Sequence, residues 1–392
     1  MQRVENQTES RAYKLFTRSI SSPFTLKNYL YGLTQFCNYT NLNYDEILKL
    51  DIEDLQIKLE NWVMELTDRG LRRSSILAHL NGVEKFLDIN RKLFYRKPLH
   101  ALIKQDKNLG GGGLPYTNKD IELMLESTKS KREIALIHFF ASTGSRPQAL
   151  EDPILRMKHL EEIPDTGCYA IRIYDNTKEG YWAFLTPEAS DALKKYIKER
   201  KFNHETITLE SPIFASVEKT AINPHLTVNS SYQLLHKILR KSGISREKVG
   251  NRFDKAMVYG FRKRFNTILK INNEINSNIA EKLMAHKKGL DGRYLTPTRE
   301  ECFAEFKKAI SDLTIDDSHR KSIRIEELEN KDSEVKNLKE QFQLDHELVV
   351  QLFHTIKDLK AFFKDISVKQ NNDVNNKSPV YDQRLLELAE NL

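Results

Sequence analysis

From about Pro23 to Leu102 the apolar positions recur at helical spacing, in three stripes. Leu26, Leu30, Leu33 and Cys37 form the first, Leu55, Leu59, Trp62 and Leu66 the second, and Ile76, Leu80, Val83 and Leu87 the third. Residues three and four apart share one face of a helix, so each stripe predicts a helix turned toward a core. Ser22 ahead of Pro23, and Ser74 ahead of Ile76, are the residue types that start helices. Residues 21–106 therefore read as a compact domain of about four helices, behind a flexible polar stretch at residues 1–20.

Gly110, Gly111, Gly112 and Gly113 follow without interruption. A packed core has no use for four glycines in a row, so residues 107–115 read as a flexible linker. Residues 116–316 then mix patterns. Helical spacing covers residues 118–125, 132–141, 187–200, 231–242, 261–271, 276–284 and 299–310. Tyr169–Tyr174 and Tyr181–Leu185 are rich in β-formers, and Asn176–Gly180 between them reads as a hairpin tip. The fold class expected is mainly α with a small antiparallel β-sheet (α+β).

The last segment changes period. Leu328, Val335, Phe342, Val349, Ile356 and Phe363 recur every seven residues, and Leu338, Leu352, Leu359 and Ile366 sit three after members of that set. With Glu, Lys and Asp at the flanks this is a heptad pattern, predicting a coiled-coil helix over residues 320–368 that pairs with a second copy. Lys331 and Asp345 interrupt the second series. Residues 369–392 read as a flexible tail, Asn-rich over Asn371–Lys377, with a short helical piece at Leu385–Leu388.

Composition narrows the classes. Of 392 residues, 39% are hydrophobic, enough for a sizeable core, and 62 Lys and Arg against 55 Asp and Glu leave a net charge of +7. That excess suits a polyanionic partner. Cys37, Cys168 and Cys302 lie far apart with no CxxC, which argues against a zinc finger or a disulfide scaffold and fits a reducing compartment. The opening residues carry no apolar leader core, and the run Ile134–Ala141 is interrupted by His138 and too short to span a bilayer. A cytoplasmic, nucleoid-associated protein with no membrane partner is expected.

The candidate chemistry is a scattered set of cations ending at a tyrosine. Arg146 follows the glycine turn of Thr143–Gly144–Ser145, and Lys178 sits on the hairpin tip. Tyr259 and Arg262 open a helix that also carries Lys263 and Arg264. His286 closes another helix, Gly289 and Gly292 follow, and Tyr294 stands eight residues after His286. Singly, each reads more simply as an ordinary surface or packing residue; the order of the set is what carries information.

That order resembles the tyrosine recombinase (phage integrase) family from about residue 20 to 315, and the Leu290–Glu301 loop with the coiled tail looks most like the archaeal integrase branch. The resemblance implies a two-domain C-shaped DNA clamp, residues 21–106 being the core-binding domain and 116–316 the catalytic domain. It implies site-specific cutting and rejoining of double-stranded DNA through a covalent 3′-phosphotyrosine, by a dimer or tetramer. Arg146 and Arg262 would clamp the scissile phosphate, Lys178 would be the general acid, His286 would donate a hydrogen bond to the phosphate, and Tyr294 would attack. Tyr259 stands where the family usually has its first histidine; a phenol can hydrogen-bond a phosphate oxygen but is no base at neutral pH. Ala149 stands where members often have glutamate, with Glu151 expected to compensate. The histidine-to-tyrosine spacing is one shorter than in bacterial members, and Leu295 falls at the alternative position.

The physical logic stands beside the resemblance. Guanidinium is permanently charged and forks onto two oxygens of a phosphate gaining charge. A phenol with a free pKa near 10 needs such help to attack, and the leaving oxygen needs a proton. Bond energy is kept in the phosphotyrosine, so no metal, ATP or other cofactor is expected. For wider DNA contact the candidates are Lys27, Arg69, Arg72 and Arg73 in the first domain. In the second, Arg252, Lys263 and Arg264 lie in a stretch, residues 251–270, with six Lys or Arg and a lone acid. Three alternatives remain: a catalytically degenerate, recombinase-fold DNA-binding or architectural protein; a type IB topoisomerase-like enzyme; and a coiled-coil interaction protein whose basic residues only maintain solubility.

Overall fold

The computed structural model describes residues 10–104, 113–217, 224–249, 252–286 and 294–373. The chain is mostly helical with a small antiparallel sheet, and it divides into two compact units, Met1–Gly110 and Gly111–Leu392. Most of the glycine run, the loop ahead of Tyr294 and the Leu385–Leu388 piece lie outside the described residues.

The first unit holds α1 (Arg11–Arg18), α2 (Pro23–Thr40), α3 (Tyr44–Lys49), α4 (Ile52–Asp68), α5 (Arg73–Ile89) and α6 (Arg96–Leu102). Side-chain oxygens of Ser10, Ser22, Asn43 and Asp51 accept from backbone N–H groups at the starts of the first four. Arg72, not Ser74, stands ahead of α5 and makes no side-chain cap. The second and third stripes are fully in the core, with Leu33 and Cys37 from the first. Residues 11–18 depart from the expected flexible stretch. Ala12 and Phe16 make an apolar face, and Phe16 is fully buried with its ring 5.7 Å from that of Phe86. A helix of eight residues with only two of them buried gave too short a stripe to mark it.

Helices α2 and α5 approach through glycine. A Cβ on Gly32 would lie 2.2 Å from the carbonyl oxygen of His79, and one on Gly82 2.2 Å from that of Tyr29. Neither position tolerates a side chain without separating the helices.

The second unit begins with α7 (Asn118–Glu126) and α8 (Lys131–Thr143). Strands β1 (Leu160–Glu162), β2 (Tyr169–Ile173) and β3 (Tyr181–Leu185) pair antiparallel in that order, with Tyr169 opposite Leu185 and Ile173 opposite Tyr181. The hairpin is where its composition put it; β1, three residues with two glutamates, carried no pattern to read. Then come α9 (Pro187–Phe202), α10 (Val228–Lys241), the short pair β4 (Lys248–Val249) and β5 (Arg252–Phe253), and α11 (Met257–Ile271). The unit ends with α12 (Ser277–Leu283), α13 (Arg299–Lys307), α14 (Ile310–Leu313) and α15 (Asp317–Asp373). Every residue of α8 from Ala135 to Thr143 is buried, so this helix is the axis of the core. Phe184, Phe265, Leu283 and Phe306 form a second apolar cluster that fixes α11, α12 and α13 against β3.

The heptad segment is one helix of 57 residues. Leu328, Val335, Phe342, Val349, Ile356 and Phe363 are between 42% and 74% exposed, so the stripe is uncovered in the single chain.

Gly82→Ala is expected to destabilise the first unit by about 2–3 kcal/mol through overpacking. Urea unfolding of the full chain checks it, with Gly70→Ala, at a left-handed turn in open space, as the comparison.

Candidate functional site: a paired-arginine cluster

Helix α8 ends at Gly144, which adopts a left-handed φ of 56° and whose carbonyl turns back toward α11. Arg146 precedes Pro147, and a residue before proline is pushed out of the helical region. Its backbone is accordingly extended, ahead of a 3₁₀ turn at Pro147–Leu150, and its side chain is half-buried.

Arg262 lies on the second turn of α11 and is 6% exposed. Its Nη1 donates to the Gly144 carbonyl at 2.8 Å, and its Nη2 donates to the Met284 carbonyl at 2.5 Å and to His286 Nε2 at 2.9 Å. Burial, and after it the charge of Arg146, push the Arg262 pKa down. The Arg146 carbonyl accepts from the Ala149 N–H at 3.0 Å, but its side chain has no ion pair or hydrogen bond to a described residue. Two guanidinium groups thus stand close enough to repel, with no carboxylate bridging them.

His286 is set by the end of α12. Ala285 takes a left-handed φ of 52°, and the His286 N–H donates to the Glu281 carbonyl at 2.9 Å, which folds the chain back over the helix. His286 Nδ1 is 2.6 Å from Glu281 Oε2. Since guanidinium only donates, Nε2 accepts from Arg262 and the proton sits on Nδ1, facing Glu281. Burial lowers the His286 pKa, as do Arg262 and Arg146, against the opposing pull of Glu281. Burial works to raise the Glu281 carboxyl, but hydrogen bonds from Lys270, at 2.8 Å, and His286 outweigh it and hold it low.

Phenols surround the pair. Tyr174 directly follows β2 with φ 54°, a conformation uncommon for an aromatic residue, and its ring is 6.1 Å from that of Tyr181. Burial raises both pKa values, so both hydroxyls keep their protons at neutral pH, and both feel Arg146 and Arg262. Tyr259, in the first turn of α11 and 47% exposed, interacts with Arg262 and Tyr174.

The structure therefore brings together Arg146, Arg262, His286 and Tyr259. Lys178 is exposed on the β2–β3 tip. Tyr294 is 79% exposed, and its neighbour Leu295, not Tyr294, lines a 230 Å³ cavity beside His286. Glu151 does not compensate for the buried Ala149 at the cluster: its Oε2 accepts from the Val228 N–H at 2.6 Å, at the start of α10. Tyr174, Tyr181, Glu281 and Lys270 were missed. The tyrosines read only as β-formers, Lys270 counted only among the cations of residues 251–270, and Glu281 carried no reading, because neither sequence separation nor residue type announces a partner across a helix end.

The proposed DNA contacts divide. Lys27, Arg69 and Arg252 are exposed, Arg72 and Lys263 half-buried. Arg73 is half-buried too and donates to the Ile103 carbonyl at 2.8 Å, tying down the segment after α6. Arg264 is a correction. It is 4% exposed and donates to Asn118 Oδ1 at 2.6 Å and to the carbonyls of Asp312 and Leu313, with burial pulling its pKa down to about 10. Lys255 pairs with Asp120 and Lys270 with Glu281. The cation density of this stretch is mostly internal wiring, because α11 is packed on several sides at once.

A scan of protein-family models and a search of curated proteins find no match. Among solved structures, the chain is similar to a lambda integrase (75–356) dimer bound to a COC′ core site, at 14% identity and TM-score 0.49, covering 75% of this chain and 98% of that one. Similar too are the XerH site-specific recombinase bound to difH substrate (18% identity, TM-score 0.47, 71% and 78% covered) and the XerA recombinase (15%, 0.35, 77% and 96%). At such identities and superpositions the chemistry has to be read from this chain's own side chains.

Arg264→Met is expected to cost about 2–4 kcal/mol, since it strips charged donors from buried carbonyls. Urea unfolding reads the loss.

Proposed function

We propose that this chain is a site-specific DNA recombinase of the tyrosine recombinase type, which cuts and rejoins strands through a 3′-phosphotyrosine. The supporting observation is the Arg146–Arg262 pair: two adjacent, partly desolvated guanidinium groups, one fixed by two carbonyls and an imidazole, the other with no described partner. Such a pair is electrostatically incomplete, and a tetrahedral oxyanion completes it. A DNA phosphate is the oxyanion that suits a chain of charge +7.

In this reading the two arginines hold the non-bridging oxygens of the scissile phosphate and stabilise the charge of the five-coordinate state. Tyr174 and Tyr259 contribute hydroxyl donors. Tyr294 loses its phenolic proton to solvent as it attacks phosphorus, the bond to the 5′-oxygen breaks, and Lys178 gives that oxygen its proton. The exposure of Lys178 and Tyr294 suits groups that meet the phosphate only once DNA is bound. Arg69, Arg252 and Lys27 would hold the backbone farther out without reading sequence. The uncovered stripe of α15 suits pairing with a second copy. Among the described residues no helix is long and apolar enough to cross a membrane.

A second reading keeps DNA binding and removes cleavage. It draws on Ala149, on the commitment of Glu151 to α10 and on the position of Tyr294.

With a duplex selected from random sequence and nicked to trap the intermediate, the wild type is expected to form a covalent adduct in EDTA, and Tyr294→Phe none. Arg146→Ala is expected to slow adduct formation by about 10²–10³-fold. Absence of an adduct on every selected duplex supports the second reading, and relaxation of a plasmid lacking the site supports a topoisomerase. Removing residues 333–392 is expected to convert a sedimenting oligomer to a monomer; unchanged sedimentation refutes the role given to α15.

A further inference from the structure

We propose that Glu281 is a positioning residue that keeps His286 a hydrogen-bond acceptor in the free protein and lets it gain a proton when an oxyanion docks between Arg146 and Arg262. The proposal rests on the phosphate reading of the arginine pair and adds to it a protonation step.

The geometry of the free site is closed on itself. His286 Nδ1–H faces Glu281 Oε2 at 2.6 Å, and the Nε2 lone pair is occupied by Arg262 Nη2 at 2.9 Å. In that state His286 has no proton to offer an oxyanion from Nε2. The other oxygen of Glu281 is 2.8 Å from Lys270 Nζ, so the carboxylate is held from behind while it faces the ring.

Adding a proton at Nε2 is opposed by two neighbouring cations and favoured by one anion. Arg262 comes from α11, Arg146 from the turn after α8, and Glu281 from α12. Lys282 of α12, Arg172 and Glu179 of the hairpin, Tyr181 of β3 and Cys302 of α13 line the cavity on the other side of the ring. Arg172 is stacked on Trp182 and lies 3.8 Å from Asp175. Burial pushes the Cys302 thiol up to about 11, and it pushes the Tyr181 phenol up as well, so neither titrates near neutrality.

An oxyanion between the arginines reverses the balance. Its charge offsets both guanidinium groups, and Arg262 turns donors from His286 toward the new oxygens. Glu281 then dominates the field at the ring. One proton is taken from solvent onto Nε2, no other bond changes, and the resulting imidazolium donates to Glu281 through Nδ1 and to the oxyanion through Nε2.

The sign follows from linkage. In the free protein the His286 pKa lies below its ordinary 6.5, and the proposal requires it to lie higher in the bound state. Between the two values binding takes up a proton, so affinity rises as pH falls, by at most about tenfold per pH unit.

The test uses sulfate, whose charge is constant over this range, and the full chain with ¹⁵N-labelled histidine, His286→Asn supplying the assignment. The free wild type is expected to show the Nδ1–H tautomer, and saturating sulfate to raise the His286 pKa by at least one unit. Glu281→Gln is expected to lose the tautomer preference and most of that rise; Glu281→Asp is expected to retain part of both, which a general packing role does not explain. An Nε2–H tautomer in the free wild type, or bound sulfate with an unmoved His286 pKa, overturns the proposal and leaves the anion site standing. A wild type that binds no sulfate at low ionic strength overturns both.

Discussion

The guanidinium of Arg262 is the constraint on which the rest of the site depends. One planar group closes on the carbonyl after α8, the carbonyl after α12 and the imidazole of His286. It thereby fixes the ends of two helices against a third. Arginine suits this because its donors fork in one plane and its charge survives burial. Lysine has three donors too, but all on one nitrogen at the end of a flexible stem, without the planar fork that spans these separated acceptors. The local backbone is bent to meet it, with left-handed residues at Gly144 and Ala285.

Charge in this protein sorts by partner, not by density. Lys255, Arg264 and Lys270 each have partners within the chain, a carboxylate for the two lysines and an amide and two carbonyls for the buried Arg264, and they hold α11 in place. Arg146 is half-buried and stands beside another cation with nothing described to neutralise it. A desolvated charge without a counter-ion is expensive for a folded chain. Its persistence is intelligible where a ligand supplies the missing charge, and the phenols of Tyr174 and Tyr181, raised by burial, add no anion at neutral pH.

Much of the fold was legible because periodicity reports burial directly. The stripes of α4 and α5 came through, since each buries one face over several residues, and β2 and β3 came through as runs of β-formers, which bury residues on both faces of the sheet. Helix α1 and strand β1 did not, being held by one or two apolar contacts. At the site, Arg146, Arg262 and His286 were found through their order along the chain and a family resemblance. Arg264 was misread for a physical reason: a basic residue on a helix reads as solvated unless the far side of the helix is known to be packed. Glu281 was invisible for the converse reason, because its role is defined by a ring that only the left-handed turn at Ala285 brings back to it.

The most direct measurement is a crystal structure of the chain grown with tungstate, whose anomalous signal locates a bound oxyanion without ambiguity. The account expects one tungstate within hydrogen-bond reach of both the Arg146 and Arg262 guanidinium groups, and its loss in Arg146→Met. Arg146 found paired with a carboxylate, or an anomalous map empty between the two arginines at saturating tungstate, would contradict it.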